Sequence, residues 1–320
     1  MLTLGLATAS SGATDYPKRP IRYVVASPAG TVSDVAARAV AQQLAARLGQ
    51  PVIVENKPGA GGLIAANAAL SAAPDGHTIL GSSSGLISQP ALSKGFNYDL
   101  GKDLKAITTL AEGRMATMVK GGSPLRTIED LVAHMKAHPG KINVGVGSSV
   151  DILQVTLFRK ATETEFELVR YPSGVTAQNA LVSGEIDVVL GGAIPQAKPL
   201  VDAGKLRFIS VNGTQRDRLI PDVPALGESS LRPLQQLSKS VLYRPFWVGI
   251  AVSSQVPGDI VKALYAATRD AMKDPEIVQR FQAHGLSITD LPTPDRATAD
   301  LVSGATEFSR VMKEAGIQPN

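Results

Sequence analysis

Short apolar runs, broken by glycine, proline and serine, alternate along this chain with longer stretches rich in alanine and leucine. Residues 21–25 (Ile-Arg-Tyr-Val-Val) read as a buried strand, 26–33 as a turn of small residues, and 34–48 as a helix with Ser33 or Asp34 at its cap. Strand, turn and helix in that order open an α/β domain. The turn then lies at the carboxyl end of a strand, where backbone N–H groups and a helix N-terminus favour an anion. Many such turns bind nothing, so the stretch alone leaves function open. The pattern goes on with a short strand at 51–54, a glycine-rich turn at 55–62, a helix at 63–72 and a strand at 77–80. A polar loop at 81–85 follows, in which Ser82, Ser83 and Ser84 either offer hydroxyls to a ligand or are merely solvated.

Residues 107–110 and 114–120 read as strands, and Thr127 with Asp130 forms a capping box for a helix reaching His138. At 142–146 the opening pattern returns: a strand, the small turn Gly147-Ser148-Ser149, then a helix at 151–161. A strand at 167–171, a turn at 172–174, a helix at 177–182 and a strand at 188–190 complete this second unit, ending on the pair Gly191-Gly192. A helix at 194–203, strands at 206–212 and 246–252, and helices at 257–273, 275–284 and 294–315 follow, while 228–240 shows no clear period. Two such units predict a bilobal α/β protein with ligand turns facing each other across a cleft. Lobe I takes residues 16–120 and 246–320, lobe II takes 121–245, and crossing strands form the hinge.

Composition narrows the chemistry. The chain has 320 residues, 44% of them hydrophobic and 19% charged, with 32 basic against 28 acidic side chains in no basic run. That is enough for a proper core and gives no footprint for nucleic acid. Cysteine is absent, which removes disulfides, thiolate chemistry and a lipoprotein anchor. The turn at 55–62 fails both the nucleotide P-loop and the dinucleotide spacing. His134 and His138 share a helical face but lack a third ligand, no serine sits in a G-x-S-x-G elbow, and Asp75, Asp99 and Asp187 fall in turns. No acid–base constellation emerges. Residues 1–15 are small and apolar with A-x-A-like sites, as at the end of a secretory signal, and imply an exported mature chain starting near Asp15 or Tyr16.

A series of motifs carries a resemblance. Tyr16-Pro17-x-Arg19-Pro20-Ile21, Gly49-Gln50-Pro51-Val52-x-Val54-Glu55-Asn56-Lys57-Pro58-Gly59-Ala60-Gly61-Gly62, Ala73-Pro74-Asp75-Gly76, Tyr98-Asp99 and Pro139-Gly140-Lys141 come first. Gly184-x-x-Asp187, Ala203-Gly204-Lys205-Leu206-Arg207, Pro221-Asp222-Val223-Pro224, Asp274-Pro275-Glu276 and Ala315-Gly316-Ile317 follow in order. Together they resemble the substrate-binding proteins of tripartite tricarboxylate transporters, the Bug or TctC family, over nearly all of residues 16–319.

The resemblance implies a periplasmic, cofactor-free, metal-free monomer of two α/β lobes that closes on a small carboxylate and delivers it to membrane permease subunits. In the family, the first strand-to-helix turn carries Pro-Gly-Gly-x-x-Asp and holds one carboxylate through backbone N–H groups. Here it maps onto Ala29, Gly30, Thr31, Val32, Ser33 and Asp34, with Ser27 beside them. Thr31 replaces a glycine and brings a Cβ and a hydroxyl, which narrow the pocket or donate a hydrogen bond.

The second lobe departs further. The family's Ser-Ser-Gly-x-Gly-Ser loop is matched loosely by Gly147, Ser148 and Ser149. Its Pro-Tyr-Lys-Gly becomes Arg170, Tyr171, Pro172 and Ser173, and an aspartate after the next strand becomes Gly191. Arg170 then either receives a carboxylate or forms a surface ion pair. Small residues at Ser173, Gly174, Gly191 and Gly192 leave room for a ligand larger than a C4 dicarboxylate, and Tyr171, Ser84 and Gln89 line the space between the turns. A transport receptor, a sensory binding protein engaging a membrane kinase, and an α/β enzyme of unrecognised chemistry remain as function classes.

Overall fold

The first α/β unit runs β1 (Ile21–Val25), α1 (Val32–Leu48), β2 (Val52–Asn56), α2 (Leu63–Leu70), β3 (Thr78–Ser83) and α3 (Ser84–Leu92). The computed structural model describes residues 16–92, 98–314 and 316, so the expected signal segment at 1–15 lies outside it. The chain continues through β4 (Leu104–Gly113), β5 (Met115–Lys120) and α4 (Ile128–Ala137). A second unit then runs β6 (Asn143–Val146), α5 (Ser149–Thr162), β7 (Glu167–Arg170), α6 (Gly174–Ser183), β8 (Val188–Ala193) and α7 (Ile194–Asp202). Strand β9 (Leu206–Val211), α8 (Arg232–Leu237), β10 (Phe246–Ser253), α9 (Gly258–Ala271), α10 (Pro275–Ala283), β11 (Ser287–Ile288) and α11 (Pro294–Glu314) complete the chain.

Among the described residues the strands form two mixed sheets, six strands in the order β11-β4-β10-β3-β1-β2 and five in the order β7-β6-β8-β5-β9. In the first sheet β1 pairs in parallel with β2 on one side and β3 on the other, through Ile21↔Val52 and Arg22↔Thr78. In the second, β6 pairs in parallel with β7 and β8 in the same way. Each chain path thus reverses direction beside its first parallel strand, which opens a crevice at the carboxyl ends of β1 and β3 and another at those of β6 and β8. An antiparallel strand closes each unit, β10 against β3 and β5 against β8. The two sheets are repeats of one plan.

Helices α1, α9 and α10 bury Val40, Leu44, Leu264 and Phe281 against one face of the first sheet. Helices α4 and α5 do the same for the second with Leu131, Met135 and Phe158. The capping box at Thr127 and Asp130 forms as the spacing predicts. Helix α11 belongs to both sides: Leu301 packs under α2 and α3, whereas Phe308, Val311 and Met312 join the core of the second sheet.

Three expectations are corrected. The polar loop at 81–85 is absent: β3 runs through Ser83 and α3 starts at Ser84, because Ser82 and Ser83 pair with Gly249 and Val248 of β10. Gly191 and Gly192 do not leave the strand either, but continue β8 against β5. The boundary expected at 120 falls at the far end of β5 instead of its start, since Met115–Lys120 hydrogen-bonds to β8 and β9. The chain therefore crosses between sheets at Arg114 and returns after Tyr243, just before β10.

Candidate functional site

In the turn between β1 and α1, Thr31 caps the helix: its hydroxyl accepts from the Asp34 amide at 3.4 Å and lies 3.0 Å from Ser27 Oγ and 2.9 Å from the Pro28 carbonyl. The Thr31 hydroxyl is thus committed within the turn. Asp34 is buried and accepts hydrogen bonds from the Gly30 amide at 2.9 Å, Asn56 Nδ2 at 2.8 Å and Arg38 Nε at 3.0 Å. Burial pushes its carboxyl up, but the donors Arg38, Gly30 and Asn56 prevail and hold it below the usual carboxylate range. Asp34 shapes the turn, and Arg38 cancels its charge. The amides of Val32 and Ser33, in the first turn of α1, have no intrahelical acceptor.

Beside this turn lies a cavity of about 360 Å³ at the carboxyl ends of β1 and β3. Ser27, Ser33, Ser82 and Ser83 supply its serine hydroxyls, Pro58, Gly59, Gly61 and Gly62 its rim, and none of the described residues lining it is charged. Ala29 and Gly30 stand exposed at the crown of the turn, and neither they nor Thr31 and Val32 line the cavity. Gln89 lies against Gly61, where any Cβ would collide with its amide, so it props the glycine-rich turn.

The second turn repeats the first. Ser148 caps α5 by accepting from the Asp151 amide at 3.2 Å, and Asp151 Oδ2 accepts from the Gly147 amide at 3.0 Å. Gly147 is needed because a Cβ there would strike the backbone of Ser173 and Gly174, where the β7–α6 turn passes. The two turns differ in charge. The position four residues after Asp34 is Arg38, whereas the one after Asp151 is Val155, and no described cation pairs with Asp151. Burial raises its carboxyl against the hydrogen bonds from Gly147 and Ser148.

Asp151 faces a cavity of about 480 Å³ between the two sheets. Ser84 and Ser88 border it from α3, Ser148 and Gln154 from α5. Phe246 and Trp247 of β10 and Phe308 of α11 form an apolar wall. Among its lining residues Glu112 lies 3.7 Å from Arg114, Asp300 3.9 Å from Arg296, and Arg244 2.9 Å from Glu307.

The remaining expected residues fall elsewhere. Ser149 opens α5. Arg170 is exposed at the end of the edge strand β7, and Tyr171 directs its hydroxyl at Glu185, 3.5 Å away. Ser173 caps α6, and Gly174 is its first residue. Only Gly174 has open space above its Cα; at Gly191 and Gly192 a Cβ would collide with Gln154 Oε1 and with Met118. The room expected at that pair is filled by protein. Around it sit buried polar atoms without partners, Gln154 Oε1, Gln178 Nε2 and Asn212 Oδ1. Asp151 and Gln154 escape the sequence reading, although Gly30-Thr31-x-x-Asp34 recurring as Gly147-Ser148-x-x-Asp151 carries the signal. His134 and His138 only stack, with ring centroids 4.4 Å apart.

Residues 36–301 match the model of the tripartite tricarboxylate transporter family receptor. A UPF0065 protein of Bordetella bronchiseptica is 32% identical over 99% of this chain and 91% of its own. A solved periplasmic transporter superposes with a TM-score of 0.78 at 29% identity, covering 95% of this chain and 99% of that one. The periplasmic binding protein BugD superposes with a TM-score of 0.79 at 25% identity, covering 95% and 100%.

Proposed function

Since the chain belongs to the tripartite tricarboxylate transporter receptor family, we propose that it is a periplasmic solute receptor that captures a small organic carboxylate between its sheets and delivers it to membrane permease subunits. Among the described residues no helix is long and apolar enough to cross a membrane. The observation that carries the ligand class is the serine-lined cavity beside α1, whose lining side chains are uncharged.

A carboxylate there meets the hydroxyls of Ser27, Ser33, Ser82 and Ser83 and the Ser33 amide at the start of α1. Arg38 has removed the opposing charge of Asp34, so the helix end stays attractive to an anion. Charge-assisted hydrogen bonds of this kind are about twice as strong as neutral ones and gain more where water is excluded. Ser149, Arg170, Tyr171, Ser173 and Gly174 keep the positions described above; the capture proposed here rests on the α1 turn and the interlobe cavity.

The test is a thermal-shift screen of the purified protein against mono-, di- and tricarboxylates, aliphatic and aromatic, with amino acids and nicotinate. A ligand bound only by the folded state raises Tm, by about 2.7 kcal/mol of added stability at a hundredfold excess over Kd. A clear shift for one group is the expected result. No shift for any carboxylate overturns the reading.

A further inference from the structure

The chain passes between the sheets at Arg114 and again after Tyr243, both times through short non-helical links. Helix α11 joins them a third time. Its Leu301 is 3% exposed and lies among Leu86, Ile87 and Leu104 on the first side, with the half-buried Ala305 beside it. Its Phe308 is also 3% exposed, but lies with Met312 among Val144, Phe158 and Leu190 on the second. The anchors Leu301 and Phe308 stand about 10 Å apart along the helix. A helix keeps its shape through its own hydrogen bonds, so any change in the angle between the sheets has to be taken up between them.

Ser303 and Gly304 occupy that interval. Glycine is the poorest helix former after proline, and Gly/Ser pairs are recurrent places of helix bending. Packing does not demand the glycine: a Cβ at Gly304 would meet only the Ile87 side chain, whose Cδ1, at 3.2 Å, has to yield by a few tenths of an ångström. One turn on, Glu307 pairs with Arg244 of the returning link at 2.9 Å, which couples the far half of α11 to that link. Ser303, Gly304, Phe308 and Arg244 all border the interlobe cavity. The turn that joins the two halves of the helix is therefore also part of the cavity wall.

We propose, on the footing of the receptor reading above, that Ser303-Gly304 is a third hinge: α11 bends there as the sheets approach, and the stiffness of that turn sets how freely the cleft opens without ligand. The two non-helical links alone do not set the angle between the sheets, because a helix buried in both cores opposes every rotation they permit.

The chain has no cysteine of its own, so two introduced ones take spin labels selectively. Ile64→Cys in α2, on the first sheet, and Val175→Cys in α6, on the second, replace side chains that are 50% and 48% exposed. Pulsed electron resonance on the ligand-free full chain then reads the spread of distances between the nitroxides. A broad spread is expected in this labelled parent. Gly304→Ala combined with Ile87→Val, which relieves the crowding, is expected to narrow it about twofold at an unchanged urea midpoint, and Ser303→Gly to widen it. Equal spreads in all three chains, a uniformly narrow one included, overturn the hinge and leave the carboxylate receptor standing. Absence of any thermal shift with carboxylates removes that receptor reading instead and does not alter the distances, which are measured without ligand.

Discussion

Asp34 and Asp151 occupy equivalent places, and their surroundings push their carboxyls in opposite directions. The folded-state value of Asp34 is lowered, so its stabilising contribution is complete above the ordinary carboxylate range near pH 4 and fades as pH falls through the lowered value. For Asp151 the folded value is raised, so its ionisation opposes folding at neutral pH, and acidification through the raised value relieves that opposition. Asp34→Asn is thus expected to lose stability at neutral pH and to flatten the acid limb of the stability curve, whereas Asp151→Asn leaves neutral stability unchanged or higher. Urea midpoints measured from acid to neutral pH check this, and equal losses in both variants would contradict it. The sequence showed Asp34, because a strand and a helix cap flank it visibly. Asp151 is legible only as the second copy of the Gly-Thr/Ser-x-x-Asp turn, and its missing partner at Val155 is a difference that the repeated motif does not show. At Arg170 the sequence shows only a cation at a strand end, with both a ligand and a surface role open, and the sheet order adds that β7 is an edge strand.

At the scale of elements, the strands and helices of both units were legible from apolar runs and breakers, within a few residues. The junctions β3–α3 and β8–α7 were not. Ser82, Ser83, Gly191 and Gly192 have the composition of a loop, yet β10 and β5 supply ladders from distant parts of the chain. Helix α8 was missed because six residues are too few to show a period. Gly147 illustrates how closely these elements approach, with the β6–α5 turn lying on the β7–α6 turn. Gly147→Ala is expected to lower stability by about 1–3 kcal/mol, the usual cost of overpacking. Since both neighbours are backbone, no rotamer change relieves it. Gly174→Ala, with open space above it, serves as the contrast. Chemical denaturation of the pair decides the point, and an equal effect in both would refute the account.

The bilobal plan was legible at the scale of the whole molecule from the recurrence of one strand–turn–helix unit, but its seam was not. Strand β5 follows β4 after Arg114 alone, and nothing local tells which sheet receives it. Trp247, the single tryptophan, lies at the cavity between the sheets and follows the segment that returns the chain from one to the other. Capture of a ligand is expected to change its emission wavelength or intensity, and the titration midpoint should match the calorimetric Kd. A saturating ligand that leaves the emission untouched would place binding away from this cavity. Strand β10 also has a consequence in time. The second sheet draws all its strands from residues 115–211, an unbroken span, whereas the first keeps the slot between β3 and β4 for residues 246–253. During synthesis the middle of the chain can finish its sheet while the earlier strands still await their neighbour, with loop closure over so long an interval slowing the step. The part made first is completed last.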